Sequence, residues 1–527
     1  MQLPGLKWII VLMFCALSSG CILTSEKYQR LAVPLPGAWQ GGRGDEAAWP
    51  DREWWRGFQS SELDRLIADA RDNNHDLKAA SARVAQARAA ARVARAALYP
   101  TVELAADARR TKIGRSSPVN DYLVLPQVRY GIDVWGANRR SSEAAADMVM
   151  SGVYAQQVVK LTLTADVANT YFQILSLNDR LDVAQRNLAN AHKVMDLVDA
   201  QKQAGRVAAF EVERQRSQVA TNEAAIPPLR QQLRAARDAL AVLLGKNPED
   251  VEITTSSLRP LAVPVVPLGL PPQLLERRPD ISKAEMDLIA AHANVAAARA
   301  ALFPPITAAA QVGFESNASS SLFAVASGVR SISLGLLATI FDGGKLGGEV
   351  DLAVGRKMEL AETYRQSVVS AFREVEDALA GVEQFTAQER AQRDAAIHAD
   401  EAYRLAELLL RSGATDFTAV LDAERTLLAA ETAADEARLN RFSSLVALYR
   451  ALGGGWGPPT VVNGRRQGSD GARVEAPQNG HPPPSVRTRV EVPRNGHPQP
   501  SDSTRVKAGQ NGRLPPSDSI WALFGID

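Results

Sequence analysis

Two periods of apolar positions take turns along this chain. From Asp76 to Leu98 a run of alanine and arginine, without internal Gly or Pro, predicts a helix that stops at Pro100. The period then drops to two. Val102, Leu104, Ala106 and Ala108 alternate with Thr101, Glu103, Ala105 and Asp107, and a second alternation sets Val128, Tyr130, Ile132 and Val134 against Gln127, Arg129, Gly131 and Asp133. Both stretches predict strands with one apolar face. After Arg140 more than sixty residues pass without a proline, and Ile174, Leu181, Leu188 and Met195 recur at intervals of seven, with Val167, Tyr171 and Val198 between them. Such a repeat predicts a long helix in a left-handed supercoil, and sixty residues at 1.5 Å each extend about 90 Å. This helix ends near Gly205, and a return helix is expected from about Val212 to Gly245, interrupted and kinked at Pro227 and Pro228.

The whole order then recurs. A shift of 204 places Asp76 on Asp280, Ala80 on Ala284, and Arg95, Leu98 and Pro100 on Arg299, Leu302 and Pro304; a shift of 208 places Gly205 on Gly413, Val212 on Val420 and Gly245 on Gly453. In the second copy Ile306, Ala308, Ala310, Val312 and Phe314 form one strand face, and Ile332, Leu334, Leu336, Ala338 and Ile340 another. Val368, Val375 and Val382 repeat at seven in its long helix. The chain is two copies of one plan, each a helix, two strands and an antiparallel helical hairpin.

Strands that are apolar on one side and polar or charged on the other suit a barrel with lipid outside and water inside; a soluble sheet with one dry face would show the same alternation. Four strands cannot close around a water-filled lumen, and open edges are not tolerated in lipid, so a barrel requires several chains. The loops at about 111–125 and 316–329, rich in Ser, Gly, Asn and Asp, would lie at its outer rim.

The N-terminus gives an address. One lysine, an apolar core from Trp8 to Leu17 and small residues before Cys21 have the layout of a secretory signal. A cysteine directly after "SSG" resembles a bacterial lipoprotein signal, in which Cys21 becomes the acylated N-terminus; an ordinary cleaved signal with an incidental cysteine is the alternative. Cys15 leaves with the signal, so the mature chain forms no internal disulfide. A net charge of +1, with charged residues spread rather than gathered on one face, disfavours a nucleic-acid partner, and 6% aromatic content suits closely packed long helices.

"GLPPQLLERRPDI" from Gly269, "AARAALFP" ending at Pro304, "IFDGGKL" from Ile340, "VLDAERTLLAAE" from Val420 and "LYRALGGGW" from Leu448 resemble the TolC-like outer membrane efflux family, in particular its lipoprotein branch, over about Cys21 to Trp456. The resemblance implies a mainly α-helical protein with a membrane β-barrel: a homotrimer whose twelve strands form one barrel, continued by an α-barrel of coiled-coil helices across the periplasm. It implies a passive exit duct for small molecules, driven by an inner membrane resistance-nodulation-division pump and joined through a periplasmic adaptor. Cys21 would be lipidated, Asp422 and Arg425 would form the channel constriction, and the helix turns at Gly205 and Gly413 would meet the adaptor. Ala419 stands where some members carry a second carboxylate.

The divisions expected are a signal peptide at 1–20, an N-terminal periplasmic extension at 21–75, repeats at 76–260 and 261–456, and a tail at 457–527. That tail is rich in Pro, Gly, Asn and Ser, repeats "QNGHPPPS", "RNGHPQPS" and "QNGRLPPS" every sixteen residues, and cannot bury enough apolar surface to fold alone. No enzymatic chemistry and no cofactor are expected. Asp342 to Gly344 lacks the further acidic ligands of a calcium loop and reads as a strand-to-helix turn, Gly453 to Gly455 lacks the Lys-Ser/Thr of a phosphate loop and reads as a helix terminator, and His192 and His398 have no partner at metal-ligand spacing. The competing reading is a non-conducting structural or adhesive coiled-coil lipoprotein, which would need no matched pairs of amphipathic strands.

Overall fold

The computed structural model describes residues 28–40 and 49–454 and the backbone of 461–462 and 465–466, all within the unit Met1–Ser469. Helix α1 (Ser61–Asn73) is capped by Ser60, whose side chain accepts from the Leu63 N–H, and α2 (His75–Ala96) by Asn74, which accepts from the Leu77 N–H. Strands β1 (Thr101–Thr111) and β2 (Val119–Ile132) follow, then the 67-residue α3 (Ala137–Gln203) and the returning α4 (Ala209–Leu244). The second copy has α5 (Pro279–Ala300), β3 (Ile306–Ser316), β4 (Gly328–Leu336), the 68-residue α6 (Lys345–Ser412) and α7 (Phe417–Ala451).

The four strands make one antiparallel sheet in the order β1-β2-β3-β4. Its register joins the alternations of all four strands into two continuous faces. Leu104 pairs with Pro126, Val128 with both Val102 and Ala310, and Ala310 with Ile332, so the apolar positions line up on one side. On the other side Glu103, Gln127, Gln311 and Ser331 form one row, and Thr101, Arg129, Ala309 and Ser333 the next. β2 ends at Ile132, so the expected strand position Val134 lies beyond it, and two further boundaries differ from the sequence expectation. β2 begins at Val119, leaving the first loop only residues 112–118, and β4 ends at Leu336, so Ala338 and Ile340 lie beyond the strand. Both differences follow from pairing: β2 extends as far as β1 offers a partner, to Thr111, and Leu336 pairs with the first residue of β3, Ile306.

Each strand pair passes into its long helix through an aspartate. The Asp133 carboxylate accepts from the backbone N–H groups of Asn138 (3.1 Å) and Arg139 (2.9 Å), and Asp342 accepts from those of Gly344 and Leu346, both at 2.9 Å. These bonds to the charged form hold the Asp342 carboxyl below its usual range. At the far ends, Gly205 and Gly413 take φ of +69° and +75° and close the last turns of α3 and α6, where a side chain would be strained.

A second pair of glycines clasps each return helix to the start of its repeat. A Cβ on Gly245 would lie 2.5 Å from the Asn73 carbonyl oxygen, and one on Gly453 2.3 Å from that of Arg277. Beside them, the Asn74 side chain donates to the Leu243 carbonyl (2.9 Å) and the Arg278 guanidinium to the Ala451 carbonyl (3.0 Å). The repeats therefore conserve a geometry while exchanging an amide for a buried guanidinium, which Asp280 (2.7 Å) and Glu374 (2.8 Å) neutralise. Trp54, Phe58, Phe172, Phe442 and Tyr449 fill the adjoining core, each burial worth about 1.5–3 kcal/mol.

Two expectations about the helices are corrected. Pro227 and Pro228 do not interrupt α4, which is one continuous helix from Ala209 to Leu244. Both prolines face solvent, while Ile226 on the packed side anchors the turn, so water can take the carbonyls that lose their N–H partners. The seven-residue set of α3 is fully buried only at Val167, Tyr171, Ile174 and Val198; Leu181, Leu188 and Met195 are half-buried. The buried line there runs instead through Val183, Asn187, Ala191 and Val194, because a straight helix drifts about 20° per heptad and carries a strict seven-residue set off the packed face.

Candidate functional site

The hairpin ends near Gly205 and Gly413 adjoin the two polar residues singled out in the sequence, Asp422 and Arg425. α7 starts with Asp416 as its cap, accepting from the Ala419 N–H at 3.1 Å, and packs Phe417, Val420, Leu421 and Leu427 into the core shared with Val194, Val198 and Val212. Asp422 and Arg425 lie on the exposed side of this first part of α7. Their spacing of three does not join them within one protomer: among the described residues Arg425 forms no ion pair with Asp422, and its Nε–H donates to Gln218 Oε1 of α4 at 3.0 Å. Arg214 of α4 reaches Thr418 of α7 at 3.1 Å, so the return helices of the two hairpins are linked at two levels.

Behind Arg425 the bonds run inward. Gln218 Nε2 donates to Asn222 Oδ1 (3.0 Å), and Asn222 Nδ2 donates to Glu424 Oε1 (3.1 Å). Glu424 is only 1% exposed and its Oε2 has no hydrogen-bond partner. Burial pushes its carboxyl up from the ordinary value, against the Asn222 bond and the Arg425 charge, and burial beside Glu424 pushes the Tyr403 phenol of α6 up to about 12. A short polar chain thus runs from exposed Arg425 into the helix core. Sequence reasoning singled out Asp422 and Arg425 and missed Glu424, although Val420, Leu421, Glu424 and Leu427 keep the spacing of a buried helix stripe, with a carboxylate in one apolar place.

Cys21 lies outside the described residues, as does Trp456. No group of three or more His, Cys, Asp or Glu that could hold a metal ion occurs among the described residues. His192 on α3 lies 3.8 Å from Glu223 of α4, as a contact within one hairpin.

Comparison with known proteins gives this geometry a family. The sequence profile of the outer membrane efflux protein family matches the chain twice, at residues 66–246 and 270–454. The chain is 38% identical over 440 residues to the pyoverdine export outer membrane protein OpmQ of Pseudomonas putida, covering 81% of this chain and 93% of that one. It is 34% identical over 458 residues to the toluene efflux pump outer membrane protein TtgF of Pseudomonas putida, covering 83% and 95%. The solved outer-membrane channel OprN superposes with a TM-score of 0.76 at 27% identity, over 82% of this chain and all of that one. With both halves matched in order and the long helices and four-stranded sheet shared with a solved channel, the chain belongs to the outer membrane efflux protein family.

Proposed function

We propose that three copies of this chain form one outer membrane duct for small molecules expelled by an inner membrane pump of the resistance-nodulation-division class. The observation that carries this is the sheet. It has one apolar and one polar face, both its edge strands, β1 and β4, are open, and its helix-side ends continue into α-helices of 67 and 68 residues, each about 100 Å long. An open edge in lipid leaves backbone groups unpaired at several kcal/mol each, so the sheet closes only by pairing β4 of one copy with β1 of the next. Three copies supply twelve strands. The polar rows through Gln127 and Arg129 then line water, and the hairpins carry the conduit across the periplasm as twelve helices. The chain conducts passively and performs no covalent chemistry.

The site residues follow. Asp422 of each copy narrows the periplasmic end, Arg425 ties the neighbouring helices, and the turns at Gly205 and Gly413 meet a periplasmic adaptor whose binding loosens them. Cys21 is the lipid anchor. In support, residues 28–40 run along the second repeat, with Tyr28 against His292, Arg30 paired with Glu285 at 2.9 Å and Trp39 donating to the Gly269 carbonyl at 2.6 Å. His292 lies eight residues before the sheet-side end of α5, about 12 Å, and the seven residues from Cys21 to Tyr28 reach about 23 Å when extended. The boundaries 21–75, 76–260, 261–456 and 457–527 remain our division of the mature chain.

Purified protein inserted into planar lipid bilayers tests the reading. Discrete single-channel steps and a particle of three protomer masses are expected; a complete absence of conductance from correctly folded trimer would leave only a structural, non-conducting role.

A further inference from the structure

The apolar face of the sheet is broken by charge at one end only. Among the strand residues on that face, from Val102 across to Leu336, the charged ones are Arg110 and Arg330. Arg110 is the next-to-last residue of β1 and Arg330 the third of β4. Both therefore sit toward the hairpin loops, opposite the ends that lead into helices. Both are exposed, and beyond their backbone pairing in the sheet neither side chain forms a hydrogen bond or an ion pair among the described residues. The polar face is different: Arg109 lies 3.8 Å from Asp107, and Arg129 donates to Gln127 at 3.2 Å. The loop at 112–118 adds Lys112 and Arg115 and no acid. Tyr122 and Phe314 lie on the apolar face near the same ends, with Phe323 edge-on to Phe314 at 5.6 Å, as in the aromatic belt of a membrane interface.

An arginine on a lipid-facing strand is costly at the bilayer midplane and nearly free at the interface, where its planar fork matches phosphate oxygens two at a time. We propose that Arg110 and Arg330, helped by Lys112, bind the phosphate groups of the glycolipid that fills the outer leaflet. The proposal rests on the barrel reading above, with the apolar face outward and the hairpin loops at the cell surface. Because β4 of one copy adjoins β1 of the next, Arg330 of one protomer and Arg110 of its neighbour flank the same seam. The partner copy completes the site, and one doubly phosphorylated headgroup bridges two chains where the sheet is held by intermolecular pairing alone. The occupant is a phosphorylated lipid because the patch combines unpaired cations with an apolar surface that continues directly below them.

The test uses the full-length trimer, incubated in detergent with diphosphoryl lipid A, with lipid A stripped of both phosphates, or with phosphatidylglycerol, and weighed by native mass spectrometry. Wild type should retain diphosphoryl lipid A well above the other two. The double variant Arg110→Gln/Arg330→Gln should lose at least about tenfold in retention, since each charge-assisted bond accounts for roughly that factor. Arg109→Gln, one residue away on the polar face, should retain the lipid as wild type does. Equal retention by the double variant, or equal retention of phosphatidylglycerol and lipid A by wild type, overturns the proposal. Single-channel recording on the same samples separates the two readings: a double variant that conducts normally but keeps its lipid sinks the lipid site alone, whereas a wild type that never conducts sinks the barrel beneath it.

Discussion

Replacing Glu424 by Gln should stabilise the protein at pH 8 and do nothing at pH 4.5. The carboxylate is 1% exposed, one of its oxygens accepts a single bond from Asn222, and the other has no partner. An ionised oxygen left unpaired in the core costs about 1–3 kcal/mol. Against this stands the attraction of Arg425, an exposed cation whose charge is screened by water and worth under about 1 kcal/mol. The amide keeps the bond from Asn222 and removes the charge, but its buried NH2 inherits the missing partner, so the net gain at pH 8 is about 1 kcal/mol. The sign with pH follows from burial raising this carboxyl in the folded state. Its contribution to stability is full below the unfolded value of 4.5 and is lost as pH rises through the folded value, so the advantage of Gln grows with pH. Other groups facing the site are Gln218 and Asn222 of α4 and Tyr403 of α6; the phenol, pushed up to about 12, stays neutral throughout. Thermal unfolding of the purified protein, followed by fluorescence of the buried Trp54 and Trp55, should show the variant melting about 2 °C higher at pH 8 and level with wild type at pH 4.5. A variant that melts lower than wild type at pH 8 would mean that Arg425 and Asn222 hold the carboxylate as a stable ion, and the burial argument would be wrong.

Arg278→Met should destabilise by about 3 kcal/mol, because it strands Asp280, Glu374 and the Ala451 carbonyl, whereas Asn74→Ala at the matching position should cost about 2 kcal/mol for one cap and one carbonyl bond; denaturant midpoints in the reverse order would refute the comparison. Gly453→Ala should lower the melting temperature sharply, since φ is +89° and the new Cβ meets backbone at 2.3 Å, while Gly347→Ala, in open space within α6, should be neutral or stabilising. Asp422→Ala and Arg425→Ala should raise single-channel conductance and sensitise cells to large antibiotics, and wild-type conductance in both would place the constriction elsewhere. Cys21→Ser should abolish labelling by a fatty-acid analogue, with undiminished labelling ruling out acylation at that position.

Much of this architecture was legible along the chain because its causes are periodic and local. Alternation at Val102 to Ala108 and at Ile306 to Phe314 marks strands whatever they pair with, and heptads without proline mark helices too long for a globular domain. The recurrence of Pro100 at Pro304 and of Gly245 at Gly453 reveals the repeat with no structure at all. Tertiary structure decided what depends on neighbours. Pro227 and Pro228 are breakers by intrinsic preference, yet packing at Ile226 and solvent on their own side keep α4 whole. Arg425 had Asp422 at helical spacing, but Gln218 of a helix 207 residues away in sequence holds it instead. Glu424, which the sequence left unmarked, is buried because α4 and α6 close around this part of α7. The sequence by itself determined which segments are helix or strand and that the plan occurs twice, since those follow from each residue and its near neighbours. Only the tertiary structure decided which polar groups are buried and with whom they pair, because desolvation and hydrogen bonding are properties of the environment that distant segments build around a residue.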